Sequence, residues 1–195
     1  MSKEIVKSVD AMTAGLVAGT RSGEEMLALG KFKIQCFDKD GKLKWEDENH
    51  NLVVNAGLQY MCGSALTSTT QVTLWYIGLY GASATNNPAA TDTMGAHGGW
   101  TEFVLYNNAT RPQCNFAAAT LPLGTGNPSV ATNSASVAAF SINASGTVGG
   151  AFLTSSNAKN GMVGTLFSAA DFTGGDRTVA NLDTLNVTYT LSLAG

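Results

Sequence analysis

Few residues in this chain have the types and spacing that catalysis requires. The sequence contains two histidines, His50 and His97. His97 lies among glycines five residues after Asp92, so it could act as a general base oriented by a carboxylate. No nucleophile motif such as Gly-x-Ser-x-Gly accompanies it. We therefore predict that the protein is not an enzyme and that His97 is a hydrogen-bonded loop residue that fixes the approach to Trp100.

Two other segments have compositions that can bind ions. Asp171, Asp176 and Asp183 surround a Gly-Gly pair, and clustered carboxylates are the ligands that calcium prefers, but their spacing fits no known calcium loop. The segment Gly124–Pro128 is rich in glycine but lacks the lysine and the following helix of a phosphate-binding loop. The acidic run Glu46–Glu48 is expected to be a solvated turn. The sequence therefore predicts no metal and no cofactor.

The aromatic residues and the cysteines are expected to be core residues rather than binding or redox sites. Five aromatic side chains could form a platform for stacking sugars, but on adjacent strands such residues usually form a core. They are Trp75, Tyr76, Tyr80, Trp100 and Tyr106. The three cysteines are odd in number and widely spaced, which indicates no disulfide framework and favours folding in a reducing cytoplasm. We expect all three to be buried as small apolar side chains.

Charge is scarce and unevenly distributed. Only 13% of the 195 residues are charged. Ala, Gly, Thr, Ser and Asn together account for 100 of the 195 residues. Residues 1–50 contain 17 of the 25 charged side chains, whereas residues 51–158 contain three, Asp92, Glu102 and Arg111. The net charge of -3 argues against a nucleic-acid partner, because phosphates require a basic face. A neutral surface of small side chains is compatible with burial against other subunits.

The N-terminal third of the chain is expected to begin as an arm and continue as a hairpin. Residues 1–30 lack a strand pattern, and their mild apolar run does not resemble a cleaved signal peptide. Residues 22–30 could form a short helix with a serine cap. Residues 31–36 and 42–45 alternate between polar and apolar around a turn. Their predicted inward face consists of Phe32, Ile34, Cys36, Leu43 and Trp45. A helix capped by Asn55 follows over residues 56–65.

The rest of the chain has the composition of β structure. β-branched and aromatic runs predict strands at residues 72–80, 100–106, 113–120, 136–142, 146–153, 164–167 and 184–193. Residues 136–142 and 146–153 are expected to pair with each other, and Gly149-Gly150 indicates a bulge or a close backbone approach. No segment is long and apolar enough for a membrane helix. We predict a mainly β protein: an N-terminal arm, residues 1–30, and one β-sandwich or jelly-roll-like domain, residues 31–195, with one short helix.

The order of several motifs resembles that in small structural proteins of tailed-bacteriophage virions, most closely a capsid decoration, or cement, protein. These motifs are Lys44-Trp45, residues 51–58, residues 75–79, residues 92–102, Arg111-Pro112, residues 149–153 and residues 183–189. The resemblance covers roughly residues 31–193. It implies a non-enzymatic protein on the capsid exterior, made in the host cytoplasm, that binds the major capsid protein as a homotrimer and stabilises the shell.

The resemblance leaves the N-terminal thirty residues without an assigned role. Because this segment is charged and lacks a core pattern, we expect it to hold the capsid or a neighbouring subunit, with Lys3, Lys7 and Arg21 as candidate binding residues. An alternative is a tail or fibre-associated adhesion module that binds a host receptor or glycan through loops 81–99 and 121–135. Neither function involves nucleic acid or a membrane as a direct partner.

Overall fold

The protein is described by a computed structural model that covers residues 27–81, 88–122 and 127–194. The described part contains eleven strands and one helix. In chain order they are β1 (Leu27–Phe37), β2 (Leu43–Val53), α1 (Asn55–Leu66), β3 (Trp75–Gly81), β4 (Glu102–Phe103), β5 (Gln113–Cys114), β6 (Ser129–Thr132), β7 (Ala138–Ser141), β8 (Gly146–Thr154), β9 (Leu166–Asp171), β10 (Arg177–Val179) and β11 (Thr184–Ala194). The predicted mainly β fold is confirmed.

Two antiparallel layers face each other, and β2 belongs to both. Residues 43–51 of β2 pair with β1, which pairs with β11, and β11 carries β6 and β7 at its outer edge. We call this layer sheet A. The last two residues of β2, Leu52 and Val53, pair instead with β9. Sheet B continues from β9 through β8 to β3, with β4, β5 and β10 as short additions.

The main core lies between the two sheets. Alternation along β1 and β11 points one face of each strand inward, and the buried members of these faces are Phe32, Ile34, Cys36, Leu185, Val187 and Tyr189. They pack against apolar side chains of β3 and β8, including Ile77 and Leu153. A second, smaller core on the other face of sheet B contains Tyr80, Trp100 and Phe152. The loop around Trp100 therefore covers the outside of sheet B.

Helix α1 lies against the end of sheet B, and a glycine permits the close approach. Gly57 is the only buried helical residue, and a Cβ atom there would lie 2.2 Å from the carbonyl oxygen of Phe167. The helix was predicted within one residue of its observed bounds. The predicted cap was wrong, because the N-cap position is Val54 and no side chain caps the helix.

Several local predictions are corrected by pairing across the sheets. Leu27–Gly30 belong to β1 and pair with Leu191–Ala194, so the helix predicted for residues 22–30 is wrong over these four residues. The acidic run 46–48 is not a turn, because it lies inside β2. Strands β7 and β8 do not pair with each other: β7 pairs with β11 in sheet A, whereas β8 pairs with β3, β9 and β10 in sheet B.

Strand lengths and faces differ from the sequence pattern in other places. The strands predicted at residues 100–106 and 113–120 are reduced to two residues each, and β6 and β10 were missed. Leu43, predicted to face inward, is exposed because the register shifts at the end of the hairpin between Cys36 and Phe37. The close approach predicted at Gly149-Gly150 is confirmed, since a Cβ atom on Gly150 would lie 2.2 Å from the carbonyl oxygen of Ala170.

Candidate interaction site

The residues with the best potential for chemistry have structural partners. The ring of His97 stacks on Trp100 with the ring centres 3.8 Å apart, and its Nδ1 lies 3.0 Å from the Trp100 carbonyl oxygen. The carboxylate of Asp92 accepts hydrogen bonds from the Trp100 indole N–H at 3.0 Å and from the Ala89 backbone N–H at 3.1 Å. His97 and Asp92 therefore hold Trp100 over sheet B, as predicted for His97.

The fold does not gather the three aspartates of the candidate calcium loop into one cluster, because Asp171 and Asp176 interact with each other whereas Asp183 has other partners. Asp171 accepts a hydrogen bond from the Tyr80 hydroxyl, whereas Asp183 binds Lys44 at 2.5 Å and the Ala180 N–H at 2.7 Å. Burial raises the pKa of Asp171 above its usual range. Among residues 27–81, 88–122 and 127–194, no cluster of three histidine, cysteine or acidic side chains could hold a metal ion.

Buried ion pairs form a feature that the sequence analysis did not anticipate. Arg111 Nε and Nη2 donate to the two carboxylate oxygens of Glu102, each at 2.8 Å, and both side chains are buried. Arg111 also donates to the carbonyl oxygen of Ser156 at 2.8 Å, while Glu102 accepts from the Asn160 N–H at 2.5 Å. The pair therefore ties the loop after β8 to sheet B. The sequence did contain a signal for this ion pair, because Glu102 and Arg111 are opposite charges in a stretch that is otherwise almost neutral.

The aromatic residues proposed as a sugar platform are buried or half-buried. Tyr80, Trp100 and Tyr106 are buried, and Trp75 and Tyr76 are half-buried.

The cysteines are free, as expected, but Cys62 is exposed, so the prediction of three buried thiols is wrong for this residue. Burial raises the pKa of the Cys36 thiol from 9.0 to about 12 and raises that of Cys114 further. The candidate residues Lys3, Lys7 and Arg21 lie outside the described residues.

An open apolar pocket of about 620 Å³ lies at the end of the sandwich where α1 packs. One wall is formed by Tyr60 and neighbouring residues of α1, and the opposite wall by Leu191 and Leu193 of β11 together with residues 116–119. The Tyr60 ring contacts Trp75 edge-on at 5.2 Å, and its hydroxyl accepts a hydrogen bond from the Val72 N–H at 2.7 Å. The volume is within the range of pockets that take small molecules or a few side chains.

The chemistry of this pocket suits binding rather than catalysis. Among the residues that the structure describes, no charged side chain lines it. The Tyr189 hydroxyl at its base accepts hydrogen bonds from Asn51 at 3.2 Å and from Ser168 at 3.3 Å. Burial raises the pKa of Tyr189 well above its usual range, so the hydroxyl remains protonated. The pocket therefore offers apolar surface to an apolar partner.

Large apolar side chains are exposed on the surface, and one of them, Leu66, also lines the pocket. The most exposed are Leu66, Leu121, Val163, Leu182 and Met162. Leu182 is unusual because its backbone φ is 72°, in the left-handed region that a branched side chain rarely adopts. The fold therefore holds an exposed leucine in a strained backbone conformation, and such strain is found most often at functional positions.

Comparison with protein-family models, with curated proteins and with solved structures finds no match to this chain. Within the described residues, no helix is long and apolar enough to cross a membrane. The fold and the site thus define a class: a mainly β, sandwich-like protein with an open apolar pocket and an uncharged surface over much of its length.

Proposed function

We propose that this chain is a non-enzymatic structural protein of a bacteriophage virion that decorates the outer capsid surface and stabilises the shell. One observation carries the proposal. All three charged side chains between residues 51 and 158, Asp92, Glu102 and Arg111, are buried. The exposed surface of that stretch therefore consists of neutral groups, and such groups cost little to desolvate when two protein surfaces meet.

Two further features support a role in assembly. Exposed leucines add apolar area: Leu121 lies within the neutral stretch, and Leu182 lies beside it, hydrogen-bonded to Ile142. Each square ångström of apolar surface that is buried contributes about 25 cal/mol. The motif order of residues 31–193 resembles that of virion decoration proteins. A homotrimer that binds several copies of the major capsid protein gains affinity from effective concentration and stabilises the shell by mass action.

The proposal is tested with virions from which this protein is absent. Adding the purified protein back should raise the temperature at which the shells release DNA. Ser136→Asp, which places a charge on the neutral surface, should lose most of this effect, because the added charge must be desolvated on binding. The matched control is Leu43→Lys, an exposed position on the charged hairpin, which should restore stability like the wild type.

The same preparations separate this function from host adhesion. Equal DNA-release temperatures with and without the protein would contradict the proposal. So would a labelled protein that lies on the tail and blocks adsorption to host cells. A chain lacking residues 1–25 should keep its β fold but lose capsid binding, since the predicted arm carries Lys3, Lys7 and Arg21. A truncated chain that still decorates shells would contradict the role of the arm.

A further inference from the structure

The apolar pocket opens beside the point where the described chain begins. Leu191 and Leu193 line the pocket, and their partners in β1 are Gly30 and Ala28. The first described residue, Leu27, pairs with Ala194 at the end of the same wall. The preceding 26 residues therefore join the β body next to the pocket.

The composition of those residues matches the pocket. Residues 11–20 form a ten-residue run without charge, bounded by Asp10 and Arg21, and contain Met12, Leu16 and Val17. The described residues that line the pocket are all apolar or neutral. Leaving such a surface and such a run in water costs free energy, and covering one with the other removes that cost.

The connection has the length and composition of a turn back towards the pocket. Six residues, 21–26, separate the uncharged run from β1, and they include the turn-forming pair Ser22-Gly23. Connections of two to six residues are the common ones between neighbouring elements. From Leu16 to Leu27 the chain can span up to about 36–40 Å when extended, whereas packed sheets lie only about 10 Å apart.

We propose that the pocket is occupied by residues 11–20 of the same chain, with Leu16 and Val17 inserted between α1 and β11. A segment tethered this closely binds at a high effective concentration. This intramolecular docking requires no capsid, so it can hold or fail independently of the proposed decoration function.

Cys62 provides a direct test, because it lines the pocket and its side chain is exposed, whereas the other two thiols are buried. Leu16→Cys should cross-link to Cys62 within one chain when the purified protein is treated with a short bismaleimide. The matched control is Ser8→Cys, which lies outside the uncharged run. Chain length alone favours the nearer position about twofold, so docking should be recognised by a yield at least tenfold higher.

The outcomes are read from the mass of the products. A cross-linked monomer whose yield is unchanged by dilution, and which is lost with Cys62→Ser, supports the proposal. Cross-linking between two chains would overturn it in favour of arm exchange. Similar yields for the two cysteine variants, or no cross-link to Cys62, would overturn docking altogether.

A second measurement does not depend on Cys62. Leu16→Asp should expose the pocket, so that the variant binds the apolar dye 8-anilinonaphthalene-1-sulfonate several-fold more than the wild type. Because Trp75 lines the pocket, the total tryptophan emission should also shift to the red. Ser8→Asp is the control and should behave like the wild type. Equal dye binding by Leu16→Asp and the wild type would contradict the proposal.

Discussion

The exposed face of the hairpin β1–β2 carries its charges in solvent, whereas the stretch between residues 51 and 158 buries all three of its charges. In the hairpin, Lys31 pairs with Glu48 at 3.1 Å and Lys33 approaches Glu46 at 3.5 Å, across strands and in solvent. Among the described residues of the longer stretch, one ion pair forms, between Arg111 and Glu102, and both of its side chains are buried.

The two kinds of ion pair therefore have different roles: exposed pairs favour solubility, whereas the buried pair connects parts of the fold. Exposed pairs keep the hairpin hydrated and contribute little to stability, because water screens them. A buried pair holds elements together, but only while both partners remain. The result is a molecule with one charged, hydrated edge and a long neutral surface that another protein can cover.

The largest expected effect comes from breaking the buried pair. Arg111→Met leaves the Glu102 carboxylate buried without its partner and removes the hydrogen bonds to the loop after β8. We expect a loss of about 3–5 kcal/mol in the free energy of unfolding, measured by urea denaturation. The double variant Arg111→Met/Glu102→Leu should recover much of it, since no charge is left unpaired. A loss below about 1 kcal/mol for Arg111→Met would show that the buried pair stabilises the fold no more than the exposed pairs of the hairpin do.

Alkaline pH should destabilise the neutral stretch. Burial raises the pKa values of Tyr80, Tyr106 and Cys114, so these groups stay protonated in the folded protein and lose protons on unfolding. Their contribution to stability is complete below about pH 8, under the ordinary pKa values of cysteine and tyrosine, and is lost as the pH rises towards their folded pKa values. Tyr106→Phe should reduce the slope of unfolding free energy against pH by up to about 1.4 kcal/mol per unit. An unchanged slope would contradict this account.

A smaller effect is expected at Leu182, whose N–H binds the Ile142 carbonyl oxygen beside the neutral stretch. Leu182→Gly relieves the left-handed backbone strain and should raise stability by about 1 kcal/mol, while removing an exposed apolar side chain. Thermal unfolding measures the first effect and the capsid add-back experiment the second. A variant that is more stable and equally effective on shells would show that the leucine has no role in assembly.

The smallest effect is expected for the hairpin pairs. Lys31→Ala should change the free energy of unfolding by less than about 1 kcal/mol, because both side chains of the Lys31–Glu48 pair are largely exposed. The effect should disappear in 1 M salt, where such pairs are screened. A salt-independent loss above this value would show that the hairpin charges also hold the fold together.

The alternating patterns of the sequence predicted the best-defined elements of the fold. The hairpin face Phe32, Ile34 and Cys36 and the C-terminal strand with Leu185, Val187 and Tyr189 are as expected, because a period of two is a local property. The interpretation of His97 as a partner of Trp100 also followed from short-range spacing. By contrast, β6 and β10 are short, and their strand character arises only from pairing with β11 and β8.

The candidate site depended much less on local sequence. The pocket combines side chains from α1, residues 116–119 and β11, which are far apart in the chain, so no spacing rule predicted it. The predicted pairing of β7 with β8 was wrong for a similar reason. The two adjacent runs have the pattern of a hairpin, but β7 pairs with β11 in sheet A and β8 pairs with β3 in sheet B, because strand pairing depends on the apolar surface that each strand packs against.

By itself, the sequence determined where charge is absent, which runs alternate and where helix α1 lies, since composition and periodicity are local properties of the chain. Tertiary structure alone decided that Asp92, Glu102 and Arg111 are buried, that Cys62 is exposed, and that the two layers open into an apolar pocket beside the start of β1. Burial depends on which distant segments meet, and that is settled by the packing of whole sheets rather than by any local pattern.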